Sequence, residues 1–190
     1  VETLSRIERG KQRPNYRTMR EIMHRLGKEN CFCTPYLKTA DYRVLEIKRE
    51  LKRAIALNNY RTAEELLEQM EDGLSLEYMT NKQYLIRTHA LIDRRLGRIT
   101  IEEELELMEI ALQMTVHSYK TRAFSYEILL PEEIVIVCNI ACCYGKLGNT
   151  QRALELLKSV DNMLNNETLQ INSYPSGIRE MVSRNHILWI

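Results

Sequence analysis

Five cysteines and four histidines are the side chains of this 190-residue sequence with the chemistry to hold a metal or attack a substrate, and their spacing favours neither. Cys31 and Cys33 stand one residue apart near His24. Structural zinc asks for cysteine pairs separated by two to four residues and for four ligands, and no second pair follows. Cys138, Cys142 and Cys143 lie inside one apolar helical pattern, which suits reduced core thiols in a cytosolic protein. His24, His89, His117 and His186 fall on different expected helices, with no i, i+4 pair. No phosphate-cradling glycine loop, Cys-x-x-Cys pair or nucleophile elbow occurs, so the expectation is a protein that is not an enzyme and holds no metal or cofactor.

The chemistry that remains is charge. The net charge of +1 hides an asymmetry: residues 1–30 carry eight Lys/Arg against four Asp/Glu, and the remainder carries 19 against 22. Any contact with a polyanion therefore belongs to the N-terminal piece, and the mildly acidic body needs a different partner.

Two short helices position the N-terminal cations. Leu4 and Ile7 share one face of the first, which stops at Gly10. Lys11, Arg13 and Pro14 form a basic turn, and Asn15 then caps a second helix with the apolar stripe Tyr16, Met19, Ile22, Met23 and Leu26, closed by Gly27.

The run Leu4-Ser5-Arg6-Ile7-Glu8-Arg9-Gly10, then Lys11, Arg13-Pro14 and Leu26-Gly27, resembles the second half of the Cro/repressor-like (XRE) helix-turn-helix domain over about 27 residues. The resemblance implies that the first helix is the recognition helix, with Glu2, Thr3 and Arg6 at base-reading positions. It further implies that Arg9, Lys11 and Arg13 lie beside phosphates. The first two helices of that domain are not in the match, so this chain alone is expected to bind DNA poorly.

Residues 28–38 break the helical period with Asn30, Thr34 and Pro35, which predicts a helix-turn-helix piece over 1–30, a linker over 31–40 and a second domain over 41–190. With 44% hydrophobic and 28% charged residues the chain reads as globular. Its longest nearly uncharged stretch, 134–144, is about half of a spanning helix, and no basic-then-apolar leader opens it. The expectation is a cytoplasmic protein without membrane contact. The chain opens at Val1 and stops at Ile190 within an apolar pattern, as a piece of a longer protein would.

The body is self-similar. Val137, Ile140, Ala141 and Tyr144 are followed by the turn Leu147-Gly148-Asn149 and by Ala153 and Leu157. Ile47, Leu51 and Ala54 are followed by Asn58-Asn59, Tyr60, Ala63 and Leu67, so both pairs place the leading and alanine positions 16 residues apart. Residues 84–96 and 101–114 form a further pair around Gly97, with Thr100 as N-cap and the alanine position poorly matched. These spacings resemble tetratricopeptide repeats, with units at about 41–75, 80–118, 131–165 and a partial one at 176–190. From Ile47 to Val137 is 90 residues where two 34-residue repeats would take 68, so the array is expected to be irregular.

The resemblance implies an all-α fold: a partial helix-turn-helix followed by a right-handed solenoid whose groove is lined by the first helix of each unit. In that register Asn139, Arg49, Lys52 and, loosely, Arg87 face the groove, where the cations could hold an acidic group and the amide a peptide backbone. An XRE domain joined to such a body resembles the quorum-sensing regulators that bind short peptides. The implied partners are promoter DNA, a peptide or protein ligand, and a second copy in a homodimer. The competing expectation is a non-enzymatic tetratricopeptide scaffold for protein-protein interaction without DNA binding.

Overall fold

Three turns of one design organise the body. In the computed structural model, which describes residues 5–6, 37–39, 41–116, 119, 129–165 and 176–188, helix α1 (Tyr42–Ala56) passes through Leu57, Asn58 and Asn59 into α2 (Tyr60–Glu71). Helix α3 (Met79–Arg95) passes through Leu96 and Gly97 to Thr100 and α4 (Ile101–Gln113). Helix α5 (Pro131–Lys146) passes through Leu147, Gly148 and Asn149 into α6 (Thr150–Leu164). Asn58, Gly97 and Gly148 take φ values of 58°, 74° and 83°, the left-handed region that turns the chain back on itself. The next N–H then reaches back five residues, from Asn59 to Ala54, Arg98 to Asp93 and Asn149 to Tyr144, at 2.9, 2.9 and 2.8 Å. Each bond gives a partner to a carbonyl that the helix end would leave bare.

The returning helices begin with side-chain caps. The Asn59 and Asn149 carboxamides accept from the Thr62 and Arg152 amides. Thr100 and Glu103 form a reciprocal box, with the Thr100 amide donating to Glu103 Oε2 at 2.7 Å and the Glu103 amide to Thr100 Oγ1 at 3.2 Å. A seventh helix, α7 (Ser176–Ile187), follows. Among the described residues all regular structure is helical, and no helix is long and apolar enough to cross a membrane.

The chain divides into two compact units, residues 1–36 and 37–190. In the first, Ser5 and Arg6 are helical and Arg6 is exposed. In the second, each helix packs on the next along the sequence, and α7 also touches α5.

Aligned on their caps, the returning helices bury equivalent positions. Four residues past the cap stand Ala63, Glu104 and Ala153; four further on stand Leu67, Met108 and Leu157; three beyond those are Met70, Ala111 and Val160. The leading helices bury Leu51, Ala90 and Ala141, each seven residues before its left-handed turn residue. Small side chains at 63, 90, 111, 141 and 153 let backbones approach, and the long ones fill the gaps between them. Glu104 is the exception: a buried carboxyl in the alanine position of the second pair, which burial pushes above its ordinary value against the pull of Lys146, Arg95 and Arg94.

The main core runs from Ala90 to Val182, with Met108, Leu112, Ile134, Ile140 and Leu157 at its centre. Val44, Leu51, Ala63 and Leu67 of α1 and α2, and Leu37 ahead of them, are buried outside that cluster. Gly73 is required there because an added Cβ would stand 2.5 Å from Val44 Cγ2.

The structure also locates the irregularity. The left-handed turn residues 58, 97 and 148 are 39 and 51 residues apart, so most of the excess over a 34-residue period falls between α4 and α5.

Candidate functional site: a cationic face and a linker anchor

Lys48 on α1 and Arg87 on α3 each stand ten residues before the left-handed residue of their turn, at 58 and 97. Equivalent positions on stacked helical pairs present their side chains to the same side, so the two cations converge. They meet on one carboxylate, Glu132, in the first turn of α5: Lys48 Nζ to Oε1 at 3.0 Å and Arg87 Nη1 to Oε2 at 3.4 Å. Tyr84, one turn before Arg87, lies under both, 5.0 Å from Lys48 Nζ and 5.6 Å from the Arg87 guanidinium carbon. The ring attracts each cation without neutralising it. Burial pushes the Tyr84 phenol up to about 12.

The neighbour of Glu132 fixes where it stands. Glu133 is buried and accepts from the Leu130 amide at 2.6 Å and from Thr115 Oγ1 at 2.6 Å. Gln83, fully buried on α3, donates to Thr115 Oγ1 and to the Ala111 carbonyl, both at 2.7 Å. The start of α5 is thus tied to α3 and to the end of α4 from the inside, and consecutive residues on a helix point about 100° apart. Glu133 faces in and Glu132 faces the cations.

Burial alone would push the Glu132 carboxyl up, but Lys48, Arg87 and the more distant Lys52 outweigh it and hold the group below the usual 4.5. A lowered carboxyl contributes stability that is present above pH 4.5 and lost as pH falls through the folded-state value. Glu104 has the opposite sign: its contribution is present below 4.5 and lost as pH rises through its raised value. Glu132→Gln is therefore expected to cost about 1 kcal/mol near neutrality and nothing once both forms are protonated. Urea midpoints across the acid range check this, and a constant gap between variant and parent would contradict it.

Of the residues expected to face a groove, Arg87 is in this cluster, and Lys52 lies exposed on α1, close enough for its charge to act on Glu132. Arg49 is exposed and makes no contact with Glu132; Lys48, its neighbour, takes that place. Asn139 is half-buried on α5, at the same place relative to its turn as Arg49. Lys48, Tyr84 and Glu132 carry no motif. The signal that could have revealed Lys48 is its place within the apolar stripe of Val44, Leu51 and Ala54, where a cation is out of pattern. Arg6 is exposed on a helix, and Glu2, Thr3, Arg9, Lys11 and Arg13 lie outside the described residues, as do Cys31 and Cys33.

A second feature sits two turns before Arg87 on the same helix. Asn81 is completely buried; its Oδ1 accepts from the Lys38 amide at 2.8 Å, and its Nδ2 donates to the Lys38 and Ser75 carbonyls at 3.0 and 2.9 Å. The side-chain amide pairs with a backbone segment as another backbone would. Leu37 is buried beside it, Thr39 Oγ1 donates to the Gly73 carbonyl, and Lys38 Nζ lies 4.9 Å from the Tyr78 ring. The first residues of the second unit are thus fastened to its α2–α3 loop.

The remaining reactive groups are packed away. Cys138, Cys142 and Cys143 form no disulfide; the first and last are buried, and burial pushes both of these up to about 12, so neither is a thiolate near neutral pH. Among the described residues no cluster of His, Cys, Asp or Glu is arranged to hold a metal ion.

The described residues define an all-helical protein whose second unit is a succession of helical pairs with a cation-rich face on the leading helices. No protein-family model, curated protein or solved structure matches the chain.

Proposed function

We propose that this chain is part of a DNA-binding transcriptional regulator of the XRE type, whose tetratricopeptide-like repeat domain, a right-handed solenoid, senses a peptide or protein partner. The observation that carries the reading is the recurrence, in three successive helical pairs, of a left-handed residue that closes the leading helix, a side-chain cap that opens the returning one and the same buried positions counted from that cap. Repeats of this kind work by presenting their leading helices to an extended ligand, and here those helices carry converging cations. The DNA-binding half of the reading rests on the resemblance of residues 4–27 to the recognition half of a helix-turn-helix domain, and on the basic charge of that piece. A linker fastened by Asn81 gives ligand binding on α3 a short path to the segment that leads to the DNA-binding unit. The protein works in the cytoplasm as a homodimer that places two recognition helices on one promoter site.

Fluorescence anisotropy of the full-length protein on its own promoter region, at two salt concentrations and against this 190-residue chain, tests the reading. Specific, salt-sensitive binding by the full-length protein is the expected result. Equal affinity for promoter and random DNA would leave the interaction scaffold as the function.

A further inference from the structure

Helix α3 opens differently from its neighbours. The Asp41, Asn59, Thr100 and Asn149 side chains cap α1, α2, α4 and α6 by accepting from an amide of the first turn. The N-cap of α3 is Tyr78, whose side chain makes no such bond, and Met79 follows it. Short polar residues are preferred at that position because the first amides of a helix lack partners, so a tyrosine there serves something other than the helix.

Tyr78 and Met79 belong to an apolar surface. Leu76, Tyr78 and Met79 are 56%, 41% and 53% exposed, within four residues of the α2–α3 connection. Apolar side chains scattered singly over a surface are ordinary, and three together are not. The loop that presents them is held in place: Asn81 Nδ2 donates to the Ser75 carbonyl at 2.9 Å, and the Asn81 and Lys82 amides to the Tyr78 carbonyl at 3.0 and 3.2 Å. Leu74, just before it, is buried. A held loop loses little freedom on binding, and tyrosine and methionine are enriched in the cores of protein interfaces.

The charges beside these side chains point to a second copy of the chain as the occupant. Glu77 stands exposed between Leu76 and Tyr78, and Lys38 Nζ lies 4.9 Å from the Tyr78 ring. Neither forms an ion pair with a described residue. One patch therefore carries an acid and a base of its own, and a partner of a single charge sign would leave one of them unanswered. Two copies related by a two-fold axis present the same patch to each other, so each Glu77 can meet the partner's Lys38 at the rim of a shared apolar centre.

We propose that the α2–α3 loop is the dimer contact of this protein, with Leu76, Tyr78 and Met79 packed against the same residues of the second copy and Glu77 paired with the partner's Lys38. The inference rests on the homodimer reading above and names the surface that makes it. The Lys38 backbone is the segment that Asn81 fastens, so the contact forms on the linker anchor. Three apolar side chains are a small centre beside the ~800 Å² that a stable interface buries on each partner, so the dimer is reversible, with a dissociation constant on the order of 10 μM.

Sedimentation velocity of the 190-residue chain from about 1 to 200 μM tests it, beside the Leu76→Ser, Met79→Ser, Glu77→Lys and Lys38→Glu variants, each first shown by far-ultraviolet circular dichroism to be folded. The parent is expected to pass reversibly from monomer to dimer. Leu76→Ser or Met79→Ser should raise the dissociation constant about tenfold. Either charge reversal should raise it about fivefold, because like charges are then brought together twice. Mixing Glu77→Lys with Lys38→Glu in equal amounts should restore the parent's affinity, since each reversed charge meets its opposite on the other variant. Variants as dimeric as the parent, or a mixture no tighter than its components, would overturn the inference and leave the homodimer to another surface. Assembly that grows past the dimer would overturn it too, because a two-fold contact closes. A parent that stays monomeric throughout would remove the homodimer reading itself, and the inference with it.

Discussion

Replacing Asn81 by leucine is expected to lower the stability of the second unit by about 3 kcal/mol, although the two side chains are close in volume. The carboxamide is the partner of the Lys38 amide, the Lys38 carbonyl and the Ser75 carbonyl, and leucine leaves all three bare in a part-buried setting. Each stranded group costs about 1–3 kcal/mol, reduced where solvent can reach it. For a unit of this size that is a fall in melting temperature of roughly 6–12 °C. The site of the loss distinguishes the anchor from a general core defect. Hydrogen exchange should accelerate at Lys38 and in the α2–α3 loop and remain slow in α5 and α6. Uniform acceleration, or unchanged stability, would show that Asn81 does not hold the linker.

Leu157→Ala is expected to cost about 3–4 kcal/mol and Leu67→Ala about 2–3, although both leucines are buried at the same place, eight residues past an Asn cap. Both truncations lose transfer free energy and leave a cavity. They differ in their surroundings. Leu157 stands in the core that runs from α3 to α7, one shared cluster that includes Ile134, Ile140 and Ala153 and cannot collapse independently at one site. Leu67 belongs to the separate apolar set of the α1–α2 pair, which can relax or open as a unit. In a chain whose helices contact mainly their sequence neighbours, a defect in a terminal pair lowers local stability before global stability. Urea unfolding followed by circular dichroism should therefore show one shifted transition for Leu157→Ala and a broadened or split one for Leu67→Ala. Identical, single shifted transitions would mean that the two apolar sets unfold as one.

Several elements of the fold were legible as sequence because their causes are local. Thr100 was recognisable as an N-cap because a β-hydroxyl three residues before a glutamate can form the reciprocal box, and it does so. Gly97 and Gly148 marked turns because only a residue tolerant of positive φ closes a helix this way; Asn58 does the same with a side chain present. The alanines at 63, 141 and 153 were legible by spacing, and their burial follows from helical period. Glu104 was visible only as a mismatch in that pattern, and the structure shows a carboxyl at the same position.

What the sequence by itself determined about this protein is therefore the helical class, the turns at 58, 97 and 148, the Thr100 cap and the small side chains buried at 63, 141 and 153, whereas the first two leading helices begin at Tyr42 and Met79, about five residues before the expected Ile47 and Tyr84. The legible features follow from caps, left-handed turn residues and a 3.6-residue period, all of which act within a few positions of the chain. The tertiary structure alone decided that Lys48 rather than Arg49 reaches Glu132, 84 residues away, that Arg87 joins it, and that Asn81 fastens Lys38. Those contacts depend on how one helical pair is rotated against the next. That rotation is set by the summed packing of many apolar side chains and leaves no periodic mark on the polar residues it brings together.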